Sequence, residues 1–130
     1  MTWNIHGMRG GDGRVDPERV ARVVDEVKPD IVGLQEVGAL RGATRLEAQA
    51  QAVADRAGMQ VALGPTVDGR EFCYGNCILV RGSIEATLSY DLSVRGREPR
   101  GCIRADVLLP GEACISLHVF NVHLGLHWRE

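Results

Sequence analysis

The sequence predicts a mixed α/β fold in a single domain, and three observations carry that reading. Residues 1 to 35 read as a strand, a helix and a second strand. Another helix follows with its own start and stop signals. From residue 74 the apolar period changes from helical to alternating. A length of 130 residues suits one ordinary domain, and 45% hydrophobic with 25% charged residues is the balance of a globular chain, not of a disordered, collagenous or coiled-coil one.

Thr2-Trp3-Asn4-Ile5 is a short β-prone run that enters a glycine-rich loop from Gly7 to Gly13. Asp16, Pro17 and Glu18 mark a helix start, with a capping carboxylate, proline at the first helical position and an acid in the first turn. Val20, Val23, Val24 and Val27 recur at helical spacing and predict the buried stripe; Pro29 is expected to end the helix. Ile31 to Gln35 reads as a buried strand. A strand, helix, strand unit closes with parallel strands, so the two should be neighbours or nearly so. Thr44 with Glu47 forms a capping box for the second helix, which carries Leu46, Ala50, Val53, Ala54 and Ala57 and stops at Gly58. A third strand is expected near Met59 to Leu63.

The later half predicts antiparallel strands at Tyr74 to Val80, Ile84 to Leu92, Gly101 to Leu109 and Ala113 to His123, with Pro110-Gly111-Glu112 as the turn joining the last two. In the run from Gly101, Ile103, Ala105, Val107 and Leu109 share a core face opposite Cys102, Arg104 and Asp106.

A formal charge of -2 provides no global basic field, so a nucleic-acid partner would be held by a local site. Of the 15 basic residues only Lys28 is lysine; arginine suits bidentate phosphate contacts, and a coding bias produces the same skew. The absence of a long apolar run predicts no signal peptide and no membrane span, with a cytoplasmic location as the default. Cys73, Cys77, Cys102 and Cys114 match no zinc spacing and read as small buried hydrophobes.

Parallel neighbouring strands open their carboxyl ends on one edge, where α/β sheets bind ligands. Asn4 and Glu36 both fall there. Their amide oxygen and carboxylate are hard donors suited to Mg²⁺ or Mn²⁺; the alternative is a turn cap and a solvated loop acid. His123 ends the last run on the face of Asn121, Val119, Leu117 and Ile115, and reads either as a satisfied core histidine or as an acid or phosphate donor at a strand end. His118 faces the other way with Phe120 and Val122, where packing is the expected role. His6 and His127 are loop positions without an evident partner. Arg95, Arg97, Glu98, Arg100 and Arg104 form one dense charged stretch, either a solvated face or a phosphate clamp oriented by Glu98.

Taken together, Thr2-Trp3-Asn4-Ile5-His6-Gly7, Pro29-Asp30-Ile31-Val32-Gly33-Leu34-Gln35-Glu36-Val37, Tyr74-Gly75-Asn76-Cys77-Ile78-Leu79-Val80, Glu98-Pro99-Arg100-Gly101 and Asn121-Val122-His123-Leu124-Gly125-Leu126 resemble the endonuclease/exonuclease/phosphatase family, with its deoxyribonuclease-I-like fold. The resemblance implies a β-sandwich flanked by helices and a metal-dependent phosphoesterase site, using Mg²⁺ or Mn²⁺, at one rim. It implies Asn4 and Glu36 as metal residues and Asn76 and Glu98 as site-shaping polar groups. It further implies Arg100 as a phosphate-facing or supporting arginine and His123 as the histidine that meets the scissile phosphate. Implied substrates are phosphate esters: nucleic acid, an inositol phosphate or a phospholipid head group.

The family's Gly-Asp-x-Asn and Ser-Asp-His motifs, which supply the water-holding Asp and Asn and a second His, do not occur in these residues. The expectation is therefore a partial domain over residues 1 to 130, resembling the amino-terminal half, inactive by itself and prone to self-association through an uncovered apolar sheet face. The alternative expectation is a non-catalytic remnant or binding module with a weak divalent-metal site.

Overall fold

The computed structural model describes residues 1–39, 46–68, 73–111 and 113–125. Thr44, Glu112, Leu126 and His127, assigned roles above from sequence alone, lie outside the described residues.

In chain order the described elements are β1 (Thr2–Asn4), a 3₁₀ turn (His6–Met8), α1 (Pro17–Val27), β2 (Ile31–Ala39), α2 (Leu46–Ala57), β3 (Gln60–Asp68), β4 (Cys73–Val80), β5 (Ser83–Asp91), β6 (Gly101–Leu109) and β7 (Ile115–His123). They form a four-stranded sheet of order β1-β2-β4-β3 and a three-stranded sheet of order β5-β6-β7. β1 runs parallel to β2, with Trp3 opposite Leu34, as the crossover rule requires. The remaining pairings are antiparallel. The antiparallel half does not stay together: β4 inserts between β2 and β3, and only β5 to β7 build the second sheet.

α1 starts where its cap predicts, Asp16 Oδ1 accepting from Arg19 N at 3.2 Å. Its end is set by Lys28, which takes the left-handed conformation (φ 50°) one residue before Pro29. Val20 and Val24 are buried, but Val27 is exposed and Ala21 takes the remaining inward position. In α2, Leu46, Ala50, Val53, Ala54 and Ala57 are all buried, and Gly58 follows with φ 62°.

Two cores result. Val20, Val24, Leu46, Ala50 and Val53 of the helices pack on Val32, Leu34, Val37, Cys77 and Leu79 of the first sheet. On the sheet's other face, Ala62, Ile78 and Val80 meet Ile103, Ala105 and Val107 of β6. Each fully buried Leu or Ile contributes about 1.5–3 kcal/mol. The architecture is thus a β-sandwich with helices on one side, and β4, buried along its whole length, is its central strand.

Two expectations are corrected. Cys114 is exposed, because it precedes β7 at the open edge, whereas Cys73, Cys77 and Cys102 are buried and no disulfide joins any of them. His118 does not pack: it stands on the outer face of the second sheet, 61% exposed, with Nδ1 2.7 Å from Asp106 Oδ1. The face it shares with Phe120 and Val122 is solvent-facing in the described residues.

Candidate functional site

The alternation of β2 sends Val32 and Leu34 toward the helices, and Gly33 and Gln35 toward the second sheet. Continued regularly, it would bury Glu36 under the helices. Instead the register passes from Leu34 opposite Cys77 to Val37 opposite Gly75. Glu36 occupies this bulge in the left-handed region (φ 57°), and Val37 takes the core position. Holding a glutamate there costs on the order of 1–3 kcal/mol, and the result is a carboxylate turned out to the rim.

The end of β1 arrives beside it. Ile5 N donates to Gln35 O at 3.0 Å, extending the parallel ladder, and Asn4 Nδ2 donates to Glu36 Oε1 at 2.9 Å. Asn4 Oδ1 accepts from His6 N at 3.1 Å. The chain then turns through three left-handed residues, His6, Gly7 and Met8, which buries Met8 in the helix-side core and leaves the His6 ring outside. His6 Nδ1 lies 3.2 Å from Glu36 Oε2, so a histidine with no partner evident in the sequence is a neighbour of the central carboxylate.

Gln49, buried in α2, braces this rim from behind. Its Oε1 accepts from Gly38 N at 2.9 Å and its Nε2 donates to Gly7 O at 3.4 Å. Gly38 itself has φ 93°, and a Cβ there would fall 2.1 Å from Cys73 O.

The second sheet contributes His123, at the end of β7, opposite Gly101. Its Nε2 is 3.6 Å from Glu36 Oε1, an ionic contact when the ring is charged rather than a hydrogen bond. Burial raises the Glu36 carboxyl most, but the hydrogen bonds from Asn4 and His6 and the charges of His123 and His6 outweigh it and hold the group below the ordinary carboxyl range.

Glu98 and Arg100 precede β6 and pair with each other, Arg100 Nη2 to Glu98 Oε2 at 2.9 Å. The Arg100 side chain is only 12% exposed, and its Nε is buried without a partner. Tyr74 of β4 lies within electrostatic reach of this pair and of Glu36. Its phenol is raised far above the ordinary range by burial first, then by the charges of Glu36 and Glu98, so it stays a protonated donor beside the carboxylate. Asn76 is not at the rim: it is buried, and its Nδ2 donates to Gly101 O at 3.0 Å, tying β4 to β6 beneath the site.

The structure therefore gathers Asn4, Glu36 and His123 directly, pairs Glu98 with Arg100 ahead of β6, and buries Asn76 against Gly101 O. Arg104 is elsewhere, on the outer face of β6, bound to Asp106. His6, Tyr74, Gln35, Gln49 and Asn121 escaped the sequence-level assignment of site residues. Gln49 and Asn121 carried a signal: a polar residue midway between Leu46 and Val53 on a buried helical stripe, or in line with Ile115, Leu117 and Val119 on an apolar strand face, demands a buried partner.

A carboxylate and an amide oxygen are hard, sparse donors of the kind that suits a Mg²⁺ or Mn²⁺ ion retaining waters. Here, however, Asn4 turns its amide nitrogen to Glu36 and its oxygen to His6 N, so the amide would have to turn over to join the carboxylate on an ion. Among the described residues no group of three or more His, Cys, Asp or Glu side chains is arranged to hold a metal. No helix among the described residues is long and apolar enough to cross a membrane.

Comparison with known proteins bears on the same residues. The profile of the Endonuclease/Exonuclease/phosphatase family matches residues 1–123. Among solved structures, an endonuclease/exonuclease/phosphatase from Beutenbergia cavernae DSM 12333 superposes with TM-score 0.69 at 22% identity, covering 92% of this chain and 36% of that one. An endonuclease/exonuclease/phosphatase family protein from Leptotrichia buccalis C-1013-b gives 0.67 at 17% identity, covering 96% and 53%. Truncated TDP2 from Caenorhabditis elegans gives 0.68 at 21% identity, covering 98% and 46%. No curated protein matches the chain. The solved structures share the fold, and the chain spans roughly a third to a half of their length, 36–53%. Since the family profile extends from the first strand through His123, the chain belongs to the endonuclease/exonuclease/phosphatase family.

Proposed function

We propose that these residues form the metal-binding and phosphate-facing part of a metal-dependent phosphoesterase site. The observation that carries the reading is the convergence of Asn4, His6 and His123, brought by two sheets, on the carboxylate of Glu36. Glu36 and Asn4 would hold a Mg²⁺ or Mn²⁺ ion, which when bound polarises a phosphoryl oxygen and stabilises the leaving oxygen. His123 presents a ring nitrogen toward the place where a phosphate oxygen would lie. Arg100, with an unpartnered buried Nε and a guanidinium steadied by Glu98, supports the phosphate side. Asn76 holds β4 and β6 together below. The substrate class is a phosphate ester, as in nucleic acid, an inositol phosphate or a phospholipid head group.

The share of 36–53% of the solved neighbours supports reading residues 1–130 as part of a larger domain, and the 130-residue chain by itself is proposed not to turn over substrate. Two further features support proposals of the same kind. Ile115 and Leu117 on the inner face of β7, and Phe120 and Val122 on its outer face, are exposed along one edge strand, which favours self-association. Cysteines without disulfides favour a reducing, cytoplasmic compartment.

The test is Mn²⁺ binding by electron paramagnetic resonance, with hydrolysis of bis-p-nitrophenyl phosphate measured alongside. Binding that disappears in Glu36→Gln, without turnover, is expected. Absence of binding overturns the metal site, and Mn²⁺-dependent hydrolysis abolished by Glu36→Gln overturns the inactivity.

A further inference from the structure

We propose that Asn121 is a positioning residue of this site, fixing β7 against β2 so that His123 stands over Glu36. This rests on the reading of Glu36 and His123 as members of one site.

Asn121 is buried, and its side-chain amide is bonded on both sides. Nδ2 donates to Leu34 O and to Cys77 O, each at 2.8 Å. Oδ1 accepts from Gln35 Nε2 at 2.6 Å, and the same Nε2 donates to Thr2 Oγ1 at 2.9 Å. One side chain of the second sheet thereby grips three strands of the first, β2 and β4 directly and β1 through Gln35. The amide reaches that far because Gly33 lacks a side chain: a Cβ there would lie 3.1 Å from Asn121 Cγ.

The place of the grip is what ties it to the site. Leu34 and Cys77 are the last residue pair before the bulge that turns Glu36 outward. Gln35 is the residue next to Glu36. His123 lies two positions beyond Asn121, on the same face of β7. The amide therefore binds β2 two residues before Glu36, from a position on β7 two residues before His123. The inter-sheet core beside it is small and aliphatic, Ala62, Ile78, Ile103 and Ala105 among its members. Such contacts hold two sheets together without choosing their relative slide, because dispersion and apolar burial are not directional. Buried hydrogen bonds are directional and fix one register.

A purely structural clamp and a positioning residue differ in what they do to the folded molecule, and that difference is measurable without metal or substrate. The readout is the imidazole ¹⁵N shifts of His123 in long-range ¹H–¹⁵N spectra of the full chain, with and without Glu36→Gln. The change that Glu36→Gln produces reports the contact between the two residues. Asn121→Ser, and Gln35→Met separately, are expected to shrink that change by half or more while leaving the backbone amide spectrum of α1 and α2 intact. Should Asn121→Ser fail to fold, Gln35→Met, which keeps both Asn121 bonds to the backbone, decides alone. A full-sized His123 response in the folded variants, with only a lowered melting temperature, overturns the proposal and leaves Asn121 a structural clamp. A His123 that ignores Glu36→Gln in the parent chain overturns the proposal and the shared site together. Loss of the response in the variants of a chain that binds no Mn²⁺ supports the proposal while sinking the metal reading.

Discussion

His123 Nε2 lies 3.6 Å from Glu36 Oε1, although Glu36 sits at a bulge within β2 and His123 ends β7 of the other sheet. The contact exists because a bulge turns Glu36 out of the helix-side core and because β7 crosses over β2 at that point. Asn4 shares that Glu36 oxygen with His123, while His6 contacts the other oxygen of the same carboxylate. Glu36 is thus the one group through which every close member of the site communicates.

Replacing it should therefore have the largest effect on metal affinity. Glu36→Gln keeps the shape and removes the charge; Mn²⁺ affinity is expected to fall at least tenfold, about 1.4 kcal/mol, with the melting temperature little changed. Titration of Mn²⁺ followed by electron paramagnetic resonance checks this, and unchanged affinity would remove Glu36 from the metal site.

Gly38→Ala should destabilise strongly. Its backbone has φ 93° and the new Cβ would meet Cys73 O at 2.1 Å, so conformational strain adds to overpacking. Each is worth about 1–3 kcal/mol. Urea denaturation measures the sum, and a loss below about 1 kcal/mol would contradict the packing described for this rim.

Gln49→Leu preserves volume and deletes the acceptor of the Gly38 N–H. A buried backbone donor left alone costs about 1–3 kcal/mol. The expected outcome is that loss in urea denaturation, with faster hydrogen exchange at Gly38 and Glu36 than in the centre of α2; uniform exchange throughout would argue that Gln49 does not brace the rim.

The outer face supplies a pH prediction. Hydrogen bonds from Arg104 first, and His118 second, hold the Asp106 carboxyl below its ordinary value of 3.8. A depressed carboxyl stabilises the fold above its unfolded value, and that contribution disappears as pH falls through the folded one. Asp106→Asn should accordingly melt lower than the parent chain at neutral pH, with the gap closing in strong acid. A gap independent of pH would show that the charge of Asp106 is not what stabilises the sheet.

The self-association proposed for β7 should be weakened by Ile115→Lys together with Phe120→Lys, which place charge on both faces of that edge strand. Sedimentation velocity of the double variant against the parent chain reads this directly. Equal association in both would locate the contact elsewhere.

Local chemistry made much of this legible in advance. The Asp16-Pro17 start, the α2 stripe from Leu46 to Ala57 and the alternation of Ile103, Ala105 and Val107 each depend on residues a few positions apart, and periodicity records them faithfully. Val27 and His118 went the other way. Their patterns were regular, but whether a regular face meets another layer is decided by where that layer ends.

The site divides along the same line. By itself the sequence determined the elements, the parallel pairing of β1 with β2, and the edge on which Asn4 and Glu36 open, since these follow from backbone propensity, capping and the handedness of a crossover. Tertiary structure alone decided that Glu36 leaves its face through a left-handed bulge, that His6 joins it, that Gln49 braces it and that Asn121 sets β7 above it. Those outcomes depend on buried hydrogen bonds between residues distant in the chain, and no period or spacing encodes which amide will find which carbonyl once two sheets close on each other.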